Sequence, residues 1–150
     1  MYSNAELSLA YKFANARILE FPYPHFFIQD VFPKDFYESL QNSIPDPSIM
    51  IPLEDARRVK GYKERFVLEI ARPEHQDKIP TAKRDFWRDF AGWLCSGRFA
   101  SLALQKFQPL VQLRFKNGPT PPFYNEAMLV EDIAEYALGP HSDAPATVLT

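Results

Sequence analysis

Near the C-terminal end, His141 and Asp143 set an imidazole and a carboxylate two positions apart in the stretch Tyr136-Ala137-Leu138-Gly139-Pro140-His141-Ser142-Asp143. Residues of strand-forming type flank them, Tyr136 and Leu138 before, Val148 and Leu149 after. Side chains at i and i+2 of an extended chain project to the same side, so both groups can reach one metal ion. They are two of the three groups of a 2-His-1-carboxylate site, whose open positions suit non-haem Fe(II) oxygen chemistry. The same pair also fits a surface turn closed by a His–Asp hydrogen bond. The spacing alone leaves both readings open.

The triplet occurs twice. His75-Gln76-Asp77 lies between Pro73 and Pro80, beside Glu74 and Lys78. No apolar strand enters or leaves it, so nothing there would fix ligand geometry, and His75 is expected on an exposed loop. A metal centre needs rigid support, which the strand pattern around His141 and Asp143 provides.

Other chemistries find less footing. Ser142 sits between His141 and Asp143, but a catalytic triad needs groups converging from separate segments. There is no glycine-rich phosphate loop and no Cys/His zinc spacing. Glu131 and Asp132 alternate to opposite faces of a strand, against joint acid–base work by that pair. Cys95 ends an apolar helical stretch with nothing beside it to activate a thiolate, and reads as a small buried hydrophobe.

The elements that would carry these residues follow from periodicity. Ser3 and Glu6 form a capping box, and Leu7, Ala10, Tyr11, Ala14 and Ile18 keep helical spacing, which predicts a helix over 4–19. Phe21-Pro22-Tyr23-Pro24 breaks it. His25 to Val31 is rich in strand formers. Pro33 opens a helix whose apolar face is Phe36, Tyr37, Leu40 and Ile44. Residues 46–60 look irregular, and residues 61–72 carry Phe66, Leu68 and Ile70 in alternation, as in a strand. Arg57, Arg58, Lys60, Lys63 and Arg65 form a loose basic cluster, read as a solvated edge because Glu54, Asp55 and Glu64 are interleaved; contact with an acidic substrate is the alternative. Pro73 to Pro80 reads as a polar loop. Thr81 would cap a helix bearing Phe86, Trp87, Phe90 and Leu94, stopped at Ser96-Gly97. A second helix would carry Phe99, Leu102, Ala103, Phe107, Leu110 and Val111. Asn117 to Pro122 is the clearest break, after which Ala127 to Ile133 reads as a strand and Thr147 to Thr150 as the beginning of another.

At 150 residues the chain is long enough for one domain with a real core. A net charge of -2 gives no electrostatic case for nucleic acid or an anionic membrane as partner. No run of about 18 apolar residues exists, so no transmembrane helix is expected. The single cysteine excludes an internal disulfide, and with no secretory signal this favours a reducing, cytoplasmic setting.

Taken together, the segment from Tyr136 to Thr150 resembles the iron-ligand segment of the Fe(II)/2-oxoglutarate-dependent oxygenase superfamily, in its prolyl-hydroxylase-like form. That form is an aromatic residue, a short strand, Pro-His-x-Asp, a brief linker and an apolar strand. Pro24-His25-Phe26-Phe27-Ile28-Gln29-Asp30-Val31-Phe32-Pro33, followed by an amphipathic helix, is similar to the N-terminal opening of many members. The two helices before Pro119 are similar to the helices that support the family's barrel.

The resemblance implies an α+β chain in which N-terminal helices and strands support a double-stranded β-helix, or jelly-roll, core. Residues 1–150 would form a single, incomplete oxygenase domain, with 1–118 as the mixed α/β support and 119–150 as the first strands of the core. His141 and Asp143 would be two of three ligands to Fe(II), and 2-oxoglutarate the cosubstrate. In the family the distal His and the Arg or Lys that binds 2-oxoglutarate lie C-terminal to H-x-D. The 150 residues do not include them, so the chain is expected to be an N-terminal portion, inactive alone. Tyr136 would bind the cosubstrate or pack against the barrel. A carboxylate at position 143, where related halogenases keep a small residue, points to hydroxylation. The substrate, protein or small molecule, is left open. The alternatives are a non-catalytic jelly-roll or cupin-like binding module, and an interaction domain whose work is done by the helical layer.

Overall fold

The computed structural model describes residues 3–56, 62–116, 118–119, 122–123 and 125–137. Among them the chain is α+β, with six α-helices and a three-stranded antiparallel sheet. In order come α1 (Ser3–Asn15), α2 (Lys34–Ser43), a 3₁₀ turn at Pro47–Ile49, β1 (Ile51–Pro52), β2 (Arg65–Glu69), α3 (Pro73–Gln76), α4 (Thr81–Leu94), α5 (Gly97–Lys106), α6 (Gln108–Arg114) and β3 (Met128–Asp132).

The sheet runs β1-β2-β3, so the middle strand is hydrogen-bonded on both edges. Ile51 faces Val67 on one side, and Val67 faces Val130 on the other. The pairing of β3 with β2 joins the segment after the Pro-rich break to the same sheet as the segment before α3. Alternation along β2 puts Leu68, and Ile70 just after the strand, on the helix-covered face, in the same cluster as Leu129 of β3 and Ala127 just before it. Val67 and Leu68 are fully buried, so both faces of the strand are covered.

Aromatic side chains carry the packing between sheet and helices. Phe36 of α2 lies 5.5 Å from Phe86 and 5.7 Å from Phe90 of α4, and Phe32 adds a ring 4.9 Å from Phe36. Such edge and tilted contacts suit the ring quadrupoles. Trp87 is 1% exposed, and its indole Nε1–H donates to the Ser43 carbonyl at 2.6 Å. That bond satisfies an orphan carbonyl at the C-terminal end of α2.

A second cluster sits under α1. Phe13 lies 4.9 Å from Phe26 and 5.5 Å from Phe99, and Phe26 lies 5.8 Å from Phe107. The Lys106 ammonium sits 5.2 Å above the Phe26 ring and donates to the carbonyls of Ala14 and Ala16. These bonds cap α1, which ends at Asn15 and not near residue 19.

Several expectations change in the folded chain. The strand-like segment His25 to Val31 forms no strand; only a bridge between His25 and Leu19 occurs there. Its backbone groups are taken by side chains of α1, with Ser8 Oγ donating to the Val31 carbonyl at 3.0 Å and Lys12 to that of Asp30. Asp30 has φ 50°, which interrupts extended geometry. The helix read through Phe99 to Val111 is two helices meeting at Phe107, because Pro109 has no N–H to continue the ladder. Thr81 is the first residue of α4, not its cap. Ser96 does not simply stop α4: its Oγ accepts from the Phe99 N–H and donates to the Trp93 carbonyl, tying the end of α4 to the start of α5. No helix among the described residues is long and apolar enough to cross a membrane.

Trp87→Ala is expected to destabilise the fold by about 3–5 kcal/mol, and Trp87→Phe by about 1–3 kcal/mol through the stranded Ser43 carbonyl. Urea unfolding followed by circular dichroism checks both.

Candidate functional site

The path to the candidate site runs along β2 and β3. Residues 64, 66, 68 and 70 turn their backbone groups toward β3: the Ile70 N–H donates to the Ala127 carbonyl at 3.1 Å, and the Ile133 N–H to that of Glu64 at 3.0 Å. Arg65 and Asp132 therefore face each other as a non-hydrogen-bonded pair, the arrangement that brings side chains closest. Arg65 Nε–H donates to Asp132 Oδ1 at 2.6 Å, and Nη2–H to Oδ2 at 2.7 Å. This two-pronged bond holds the Asp132 carboxyl below its ordinary range and raises the Arg65 guanidinium.

Beyond β3 the chain turns. The Tyr136 N–H donates to the Ile133 carbonyl at 3.2 Å, and Glu135 has φ 76°. The turn lays the Tyr136 ring under the Arg65 guanidinium, 4.2 Å from its carbon to the ring centroid. The Tyr62 ring lies 6.0 Å from Tyr136, inclined at 47°. The Tyr136 hydroxyl is buried and has no hydrogen-bond partner among the described residues. A buried hydroxyl without a partner is uncommon; the Trp93 indole Nε1–H shares that state among the described residues.

His141 and Asp143, the paired candidate ligands, lie outside the described residues. Of the predicted site residues the structure therefore places Tyr136. Among the described residues no group of three or more His, Cys, Asp or Glu side chains is arranged to hold a metal ion. Of the basic cluster, Arg57, Arg58 and Lys60 lie outside the description, whereas Arg65 is bonded to a carboxylate and a ring, not to solvent alone. Sequence named Arg65 only within the basic cluster and Asp132 only beside Glu131, and it neither paired the two nor pointed to Tyr62. The signal was the facing strand patterns at 65–70 and 127–133, but the register that pairs 65 with 132 is a property of the folded sheet.

His75 corrects an expectation. Its segment is the short helix α3, not a loop, and the side chain is 5% exposed. Residues 65, 67 and 69 of β2 face β1, but β1 pairs no further along than Val67. The Glu69 N–H donates instead to His75 Nδ1 at 2.9 Å. The next residue of α3, Gln76, donates from Nε2 to the Ile70 carbonyl at 2.6 Å. His75 thus replaces the missing β1 partner of the Glu69 amide, the Arg72 N–H takes the Glu69 carbonyl at 3.1 Å, and Gln76 serves Ile70 on the β3 side. His25 stays partly exposed, its Nδ1–H donating to the Tyr23 carbonyl at 2.8 Å. Cys95 is half-buried and burial pushes its thiol up, in keeping with an unreactive packing role.

Compared with protein-family models, with curated proteins and with solved structures, the chain matches none.

Burial pushes the His75 imidazole down, outweighing the opposing pull of Glu69, while Lys78 and Arg72 act in the same direction as burial. A neutral imidazole is also required by the geometry, since a protonated one has no acceptor for the Glu69 N–H. The unfolded chain binds a proton near pH 6.5 that the folded chain does not. This contribution to stability is thus complete above that pH and declines as pH falls below it, with a slope of up to about 1.4 kcal/mol per pH unit. His75→Asn, which keeps an acceptor near the Nδ1 position, is expected to flatten that part of the profile. Denaturant midpoints across pH, compared between the two proteins, check this.

Proposed function

We propose that this protein is an Fe(II)- and 2-oxoglutarate-dependent dioxygenase that hydroxylates its substrate. The observation that carries the reading is the Pro140-His141-Ser142-Asp143 segment, set among strand formers and four residues after Tyr136. Support comes from the α+β architecture and from the orphan hydroxyl of Tyr136 at the threshold of that segment. In this reading the antiparallel strands belong to a jelly-roll core, backed by the aromatic faces of α2 and α4.

His141 and Asp143 would hold the metal, one through a neutral imidazole nitrogen and the other through a carboxylate oxygen. When bound, the iron supplies oxygen activation coupled to oxidative decarboxylation of the cosubstrate. The chain's own contribution is placement. Asp143 fills a coordination position with a carboxylate, which favours hydroxylation over transfer of a halide. Tyr136 offers its hydroxyl to a cosubstrate carboxylate, and that bond would satisfy its buried O–H.

Manganese(II) is an oxygen-inert probe of the same ligand set, followed by the loss of the free-ion electron paramagnetic resonance signal. His141→Ala and Asp143→Ala are each expected to weaken its binding by more than about ten-fold, a loss already typical when only an outer partner of a metal ligand is removed. Unchanged manganese affinity in both variants overturns the assignment and favours a non-catalytic binding module. Conversion of 2-oxoglutarate to succinate by the longer protein that this reading implies, lost in His141→Ala, is the matching readout of activity.

A further inference from the structure

We infer that Arg65, aligned by Asp132, is the positioning residue that fixes the Tyr136 hydroxyl for a cosubstrate carboxylate. This rests on the oxygenase reading above for the identity of the ligand, but not for the clamp itself. The clamp stands on three observations. The guanidinium edge is committed to Asp132 through two bonds of 2.6 and 2.7 Å. Its central carbon lies over the Tyr136 ring, 4.2 Å from the centroid. The hydroxyl of that ring is buried without a partner among the described residues.

Geometry links the three. A guanidinium is planar, so fixing its edge on one carboxylate fixes the plane of its face. Asp132 sits directly across the sheet from Arg65, so the edge is set by strand register, not by flexible side chains. The ring then rests against the guanidinium, with the Tyr62 ring 6.0 Å away. A ring held on its face loses its freedom to swing, and its hydroxyl points to one place. Lysine cannot do the same work, because an ammonium has no plane to align. The arrangement is also a use of charge that remains compatible with an anionic ligand: Asp132 balances Arg65 at the edge, while the ligand meets the neutral phenol.

Two measurements test the inference. The first uses the intact chain and needs no ligand: nitration of Tyr136 by tetranitromethane, located by peptide mass mapping. Arg65→Met and Asp132→Asn are each expected to speed nitration at Tyr136 several-fold, and Arg65→Lys to fail to restore protection. Nitration unchanged in both Arg65→Met and Asp132→Asn overturns the clamp, and circular dichroism confirms that each variant is folded. The second is calorimetric binding of 2-oxoglutarate in the presence of manganese(II), on the longer protein that the oxygenase reading implies. Arg65→Met and Tyr136→Phe are each expected to weaken binding about ten-fold, the scale of one hydrogen bond to a charged group. The double variant is expected to be no weaker than Tyr136→Phe, because Arg65 acts only through the tyrosine. Fully additive losses overturn the positioning role. Wild-type protein that binds manganese but no 2-oxoglutarate overturns the ligand and the oxygenase reading together, whereas nitration decides the clamp separately.

Discussion

Covering a strand on both faces obliges each of its polar groups to find a partner inside the protein, because an unsatisfied amide in a dry interior costs about 1–3 kcal/mol. Strand β2 lives under that constraint, and much of the structure is arranged to meet it. On one edge β3 supplies partners along the full length. On the other, β1 is only two residues long and leaves the Glu69 amide uncovered. The imidazole of His75 takes that amide and the Arg72 N–H takes the Glu69 carbonyl, while the Gln76 side chain takes the Ile70 carbonyl on the β3 side. Helix α3 is held against the sheet by this need. The Glu69 side chain, itself buried, is in turn bonded to Arg72 at 2.5 Å.

The opposite end of β2 faces a different demand. Arg65 and Asp132 are half-exposed, so their pairing adds little to stability compared with the buried end. What the pair supplies is orientation. The carboxylate fixes the guanidinium and the guanidinium fixes a tyrosine ring. A single strand thus has a structural end, closed by α3, and an end fitted to place a hydroxyl. The helices serve both. Phe36, Phe86 and Phe90 press on the covered face and hold the strands in register, while the separate cluster around Phe13 and Phe26 anchors the chain entering α2.

Some of this was legible before folding. The helix with Phe86, Trp87 and Phe90 on one face, the helix with Phe36 and Leu40, and the strands at 65–70 and 127–133 all follow from apolar spacing. They formed because those elements bury the face their periodicity marks. The segment His25 to Val31 shows the limit. Its residues prefer strands, but a strand needs a neighbour, and side chains of α1 reached its backbone first. His75 shows another. A histidine amid charged residues between two prolines looks like surface, and only the short reach of β1 makes it a buried acceptor.

The amino-acid sequence by itself determined the helical faces, the breaks at the prolines, the candidate ligand pair His141 and Asp143 and the aromatic residue before them. These are local properties, set by residue type and by distances of a few positions along the chain. Tertiary structure alone decided that Arg65 meets Asp132, that Tyr136 folds back beneath the guanidinium with its hydroxyl buried, and that His75 closes the end of β2. Each of these joins residues through strand register or chain reversal. A shift of one residue in that register would turn Arg65 away from Asp132 to the other face, and nothing in local spacing specifies which pairing the packed core selects.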